Sequence, residues 1–99
     1  MSKERILIVD DDNTTRAIVV AGLEKAGYQV FEAQSGEGGY QIARSIRPHL
    51  VISDVVMEEM GGHQLIKKLR ESEFGKGMLF IVLTSRGKMQ DYFEIMQVD

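Results

Sequence analysis

Four short runs of β-forming apolar residues, each followed by a polar turn and then by residues at helical spacing, leave this chain very little choice of architecture. Arg5–Val9 is the first run, and it ends in three acids, Asp10–Asp12. Asn13 can then cap a helix carrying Val19, Leu23 and Ala26 on one side. Gly27 stops that helix, Gln29–Phe31 is the second run, and Ser35–Gly39 is a loop leading into a second helix with Ala43 and Ile46 inward. Arg47-Pro48 ends this helix, and Leu50–Ser53 is a third strand closed by Asp54. Gly61-Gly62 precedes a third helix with Leu65, Ile66 and Leu69 on one face. Gly75–Gly77 turns the chain into a wholly apolar strand, Met78–Leu83, and Ser85 begins a fourth helix with Met89, Phe93 and Met96 inward.

Strands alternating with helices predict an α/β fold: a doubly wound parallel sheet with right-handed crossovers and helices on both faces. Ligands of such sheets gather at the carboxyl ends of the strands, where neighbouring strands send their helices to opposite faces. In the order 2-1-3-4 that crevice lies between the first and third strands. Asp10, Asp11, Asp12 and Asp54 fall just past those two strand ends.

With 99 residues, 43% of them hydrophobic, the chain has material for one domain and no second. It contains no cysteine, which excludes a disulfide framework, a zinc–thiolate site and a thiol nucleophile, and a cytoplasmic location is expected. Its longest apolar run falls far short of the roughly 20 residues of a spanning helix, so no membrane partner is expected. The net charge is −3 and the lysines and arginines are scattered, which argues against direct contact with nucleic acid. His49 and His63 have no ligand partners at zinc spacing and read as surface residues, while Gly36, Gly38 and Gly39 read as a flexible turn.

Carboxylates converging in one crevice repel one another and call for a proton or a cation. A divalent cation such as Mg²⁺ would take one or two carboxylates, a backbone carbonyl and a phosphate oxygen. Phosphoryl transfer then needs an in-line acceptor and neutralisation of the equatorial oxygens, toward which Thr84 is a placed hydroxyl donor. Taken alone, three consecutive acids are more often a solvated turn; Asp54 across the crevice reverses that weighting.

Three segments in order carry a family resemblance: Ile6-Leu7-Ile8-Val9-Asp10-Asp11-Asp12, then Leu50-Val51-Ile52-Ser53-Asp54-Val55-Val56-Met57 with Met60 and Gly62, then Ile81-Val82-Leu83-Thr84-Ser85. Together they resemble the receiver domain of two-component response regulators, over the whole chain 1–99. The resemblance implies a flavodoxin-like fold, Asp54 as acceptor of a phosphoryl group from a sensor histidine kinase or phosphotransfer protein, and control of an output partner. It also implies Mg²⁺ held by Asp11 and Asp54, by Asp10 chiefly through water, and by the Val56 carbonyl, with Thr84 hydrogen-bonding the phosphoryl group. The family departs from this chain in having proline where Glu58 stands, and in continuing past the position of Asp99 into a fifth strand and helix that carry a further lysine. The domain is accordingly expected to be truncated at its C-terminus, with Met78–Leu83 an apolar edge open to self-association. Two rivals remain. Asp10-Asp11-Asp12-Asn13-Thr14 resembles the nucleophile motif of haloacid-dehalogenase-type phosphatases, with Asp10 as nucleophile and Asp12 as acid/base, and a phosphorylation-independent interaction module would keep the fold alone.

Overall fold

The computed structural model of the chain describes residues 3–54 and 62–83. Their elements are β1 (Arg5–Val9), α1 (Asn13–Lys25), β2 (Gln29–Ala33), α2 (Gly36–Ile46), β3 (Leu50–Asp54), α3 (Gly62–Arg70), a 3-10 turn (Glu73–Gly75) and β4 (Leu79–Leu83). The strands form one sheet in the order β2-β1-β3-β4 with every neighbouring pair parallel, as the alternation predicts. The expected fourth helix lies outside the described residues.

Alternation along the strands sorts side chains between two cores. Leu7, Val9 and Val51 pack with Ala43 of α2 and with Leu65 and Leu69 of α3. Ile6, Ile8 and Ile52 point the other way and meet Val19, Val20 and Leu23 of α1. With α1 on one face and α2 and α3 on the other, β1 and β3 are covered on both sides, which is why they read as unbroken apolar runs. Each fully buried aliphatic side chain here contributes about 1.5–3 kcal/mol relative to exposure. On β4, by contrast, Leu79 is 67% and Ile81 49% exposed.

Local chemistry explains the element ends and corrects four expectations. Asp12, not Asn13, caps α1: its carboxylate accepts from the Thr15 N–H at 3.2 Å and from the Thr15 hydroxyl. A short acid one residue before the helix satisfies an otherwise open N–H and favours the N-terminal dipole. Ala26 is an exposed C-cap, and Gly27 at φ 101° closes the helix by a Schellman pair, donating to Glu24 O at 3.0 Å while Tyr28 donates to Leu23 O at 3.1 Å. The expected glycine turn is helical instead. Ser35 caps α2 by accepting from Gly38 N at 3.0 Å, and a Cβ at Gly39 would lie 2.8 Å from Val9 Cγ2, so the missing side chain lets α2 press against β1. β2 runs two residues further than its apolar run because the exposed Glu32 and buried Ala33 continue the ladder beside Ile8 and Val9.

At the sheet's opposite end Arg5 donates from Nε to Ile46 O at 2.9 Å and from Nη2 to Arg47 O at 2.8 Å, satisfying carbonyls at the C-terminus of α2. His49, exposed as expected, accepts from Arg5 N at Nδ1 (3.0 Å), while its own N–H donates to Arg5 O at 2.9 Å. Helices α2 and α3 are joined at the surface: Lys68 Nζ lies 3.6 Å from Glu37 and 4.2 Å from the centre of the Tyr40 ring. The Gln41 amide, donating to Glu37, and then Lys68 hold the Glu37 carboxyl below the usual carboxylate value.

Candidate functional site

Asp10 and Asp54 reach the same place because β1 and β3 are adjacent and in register. Val9 pairs with Ser53, so the next residue of each strand brings a carboxylate to the carboxyl end of the sheet. Both acids are fully buried, at 0% exposure, and Asp11 beside them is partly exposed. One ligand oxygen from each of Asp10, Asp11 and Asp54 lies within 4.8 Å of the others. A three-carboxylate donor set made only of oxygens suits a hard divalent cation and has no affinity advantage for the softer metals that favour nitrogen and sulfur. The residues present therefore fit Mg²⁺, with an open side toward solvent at Asp11.

The surrounding main chain fixes this arrangement. Asp10 N donates to Ala33 O on β2 at 3.1 Å, and the Asp10 carboxylate accepts at Oδ1 from Asp12 N at 2.8 Å. The Ser53 hydroxyl donates to the Asp54 carbonyl at 3.1 Å. Asp12, the third acid of the run, is turned to helix capping and does not join the trio among the described residues. Val56 and Thr84, expected to supply a metal-ligating carbonyl and a phosphoryl hydrogen bond, lie outside the described residues.

One neighbour of the site escaped the sequence reading. Arg16, the only buried residue of α1, is 8% exposed and donates to the Asp10 carbonyl, to Asn13 and to Glu32. Its signal was available: positions 16, 19, 20 and 23 form the inward stripe of α1, and a charged residue there is unusual.

A model of the response regulator receiver domain matches residues 6–99. Protein PilH of Pseudomonas aeruginosa is 36% identical over 87 residues, covering 88% of this chain and 72% of that protein. The DNA-binding dual master transcriptional regulator RpaA of Synechocystis is 34% identical over 88% of this chain, which spans 36% of RpaA's length. The crystal structure of a CheY-like response regulator receiver domain protein from Methanospirillum hungatei superposes with a TM-score of 0.88 at 27% identity, covering 98% of this chain and 76% of that one. A family match over nearly the whole sequence, a shared fold and an acidic trio at the end of β1 and β3 converge: this chain belongs to the response regulator receiver domain family.

Proposed function

We propose that Asp54 accepts a phosphoryl group from a sensor histidine kinase or phosphotransfer protein, with Mg²⁺ bound by Asp10, Asp11, Asp54 and the Val56 carbonyl. The observation that carries this reading is the convergence of three carboxylates within 4.8 Å at the carboxyl ends of two adjacent parallel strands. An Asp54 carboxylate oxygen attacks phosphorus, forming an acyl phosphate, while the bond from phosphorus to the donor's imidazole nitrogen breaks and that nitrogen keeps the electron pair. Bound Mg²⁺ would supply positive charge to the transferring phosphoryl oxygens. Asp10 and Asp11 set where the cation sits, and the Thr84 hydroxyl is assigned to the phosphoryl oxygens. The altered charge then biases a partner-binding surface. The net acidity of the chain supports a protein partner for that surface and no direct nucleic-acid contact. No helix among the described residues is long and apolar enough to cross a membrane.

Intact-protein mass measured after incubation with Mg²⁺ and acetyl phosphate tests this directly. A single phosphoryl adduct that EDTA prevents is the expected result. No adduct would favour a phosphorylation-independent module, and phosphatase turnover that Asp10→Asn abolishes would favour a haloacid-dehalogenase-type enzyme.

The exposed Leu79 and Ile81 on β4, the outermost strand among the described residues, support self-association through this apolar edge. Light scattering should give a mass that rises with concentration and falls back in Ile81→Lys; a constant monomer mass would refute it.

A further inference from the structure

We infer that Arg16 is a positioning residue for the divalent cation, acting through the main chain of Asp10; this rests on the metal reading of the acidic trio. The guanidinium is used on three sides. Nη1 donates to Asp10 O at 2.6 Å, Nη2 to Asn13 Oδ1 at 2.6 Å, and Nε to Glu32 Oε1 at 3.0 Å. These bonds tie together the end of β1, the first turn of α1 and the adjacent strand β2. Asp10 is thus held at both faces of its backbone: its N–H by Ala33 O at 3.1 Å and its C=O by Arg16. The Asp10–Asp11 peptide plane, whose carbonyl Arg16 grips, sets the direction in which both carboxylates leave the chain.

The placement has a cost that a purely structural link would avoid. Arg16 brings a permanent positive charge, 8% exposed, to the back of a site fitted for a cation. Lysine offers a point charge with no rigid fork, and an amide offers fewer donors, so neither reproduces three bonds in fixed directions. Arg16 serves the site by geometry, against its own electrostatic effect. That opposition makes the role testable by sign. If Arg16 acted only through its field, Arg16→Gln would bind Mg²⁺ more tightly and Arg16→Lys would leave affinity unchanged. If it positions Asp10 and Asp11, both variants bind Mg²⁺ more weakly, on the order of tenfold, the lower end of what outer-sphere partners of metal ligands typically contribute.

The experiment is calorimetric titration of Mg²⁺ into the wild-type chain and into Arg16→Lys, Arg16→Gln and Glu32→Gln, at a temperature where circular dichroism shows each folded. Glu32→Gln retains an oxygen that can accept from Arg16 Nε while removing a negative charge, so positioning predicts a smaller loss of affinity than in the charge-conserving Arg16→Lys, and a field effect predicts the reverse order. The expected pattern is weaker binding in both Arg16 variants and a lesser change in Glu32→Gln. Wild-type affinity in Arg16→Lys, or tighter binding in Arg16→Gln, overturns the inference while leaving the metal site intact. Should Arg16→Gln fail to fold, Arg16→Lys and Glu32→Gln still decide. A wild-type chain that takes up no Mg²⁺ overturns the metal reading and the inference with it, and is distinguishable because the loss then precedes any substitution.

Discussion

Asp54→Asn is expected to eliminate the phosphoryl adduct completely and, in metal-free buffer, to raise the thermal midpoint of the chain. The first effect is chemical: an amide oxygen is a far poorer nucleophile toward phosphorus than a carboxylate, and Asp10 and Asp11 are assigned to the cation. The second follows from the crowding of Asp54 with Asp10 and Asp11 within 4.8 Å, two of the three wholly buried. Like charges so close oppose folding, and removing one of them returns roughly 1–2 kcal/mol once lost hydrogen bonding is set against the relief. For a domain of this size the midpoint should rise by about 4–8 °C per kcal/mol. Mg²⁺ should then reverse the ranking: the wild-type chain gains stability from the cation in proportion to the logarithm of its concentration, whereas Asp54→Asn gains less. Paired thermal melts with and without Mg²⁺, run beside mass spectrometry of both proteins after acetyl phosphate, measure both effects. An adduct that persists in Asp54→Asn would remove Asp54 as the acceptor, and a metal-free midpoint unchanged or lowered would refute the crowding argument.

Much of this site is legible in the sequence because strand ends in a parallel sheet are set by short apolar runs, and the apolar run Arg5–Val9 is β1. Once the order 2-1-3-4 is accepted, Asp10 and Asp54 must meet, since nothing intervenes between β1 and β3. What could not be read was the use of polar residues whose partners are distant in sequence. Arg16 and Glu32 are 16 residues apart and meet only because β2 returns beside β1. The same holds for Arg5 with Ile46 and Arg47, where one arginine serves as the C-terminal cap of a helix 41 residues away.

The glycines failed as signals for a different reason. Gly36, Gly38 and Gly39 suggest a flexible turn by composition, yet the serine before them supplies a cap and the sheet beneath Gly39 leaves no room for a side chain. Propensity describes the isolated chain, whereas here the packing distance between α2 and β1 decided the residue. A similar substitution of reasons governs Asp12, which reads as part of an acidic site and works as a helix cap.

Gly75→Ala should be strongly destabilising. A Cβ at Gly75 would lie 2.0 Å from the Leu69 carbonyl oxygen and 2.7 Å from its carbon. Those are backbone atoms, so no rotamer change relieves the collision. The Leu69 carbonyl already accepts from Ser72 N at 3.0 Å, and the Leu69 side chain is wholly buried among Leu7, Val51 and Leu65. Gly75 itself donates to Ser72 O at 3.1 Å and accepts from Met78 N at 3.2 Å, which fixes the turn that delivers the chain into β4. Either the end of α3 lifts from the core or the turn shifts and misaligns β4 against β3. We expect a loss of about 3 kcal/mol, the upper end of ordinary overpacking, and a midpoint lower by roughly 12–24 °C. Gly22→Ala is the control: its added methyl meets nothing within 4 Å on the exposed side of α1, and alanine in a helix interior should raise stability by about 0.8–1 kcal/mol. Denaturant melts of the two variants should therefore move in opposite directions, and a Gly75→Ala protein as stable as wild type would show that α3 and the turn before β4 are not packed as closely as this geometry requires.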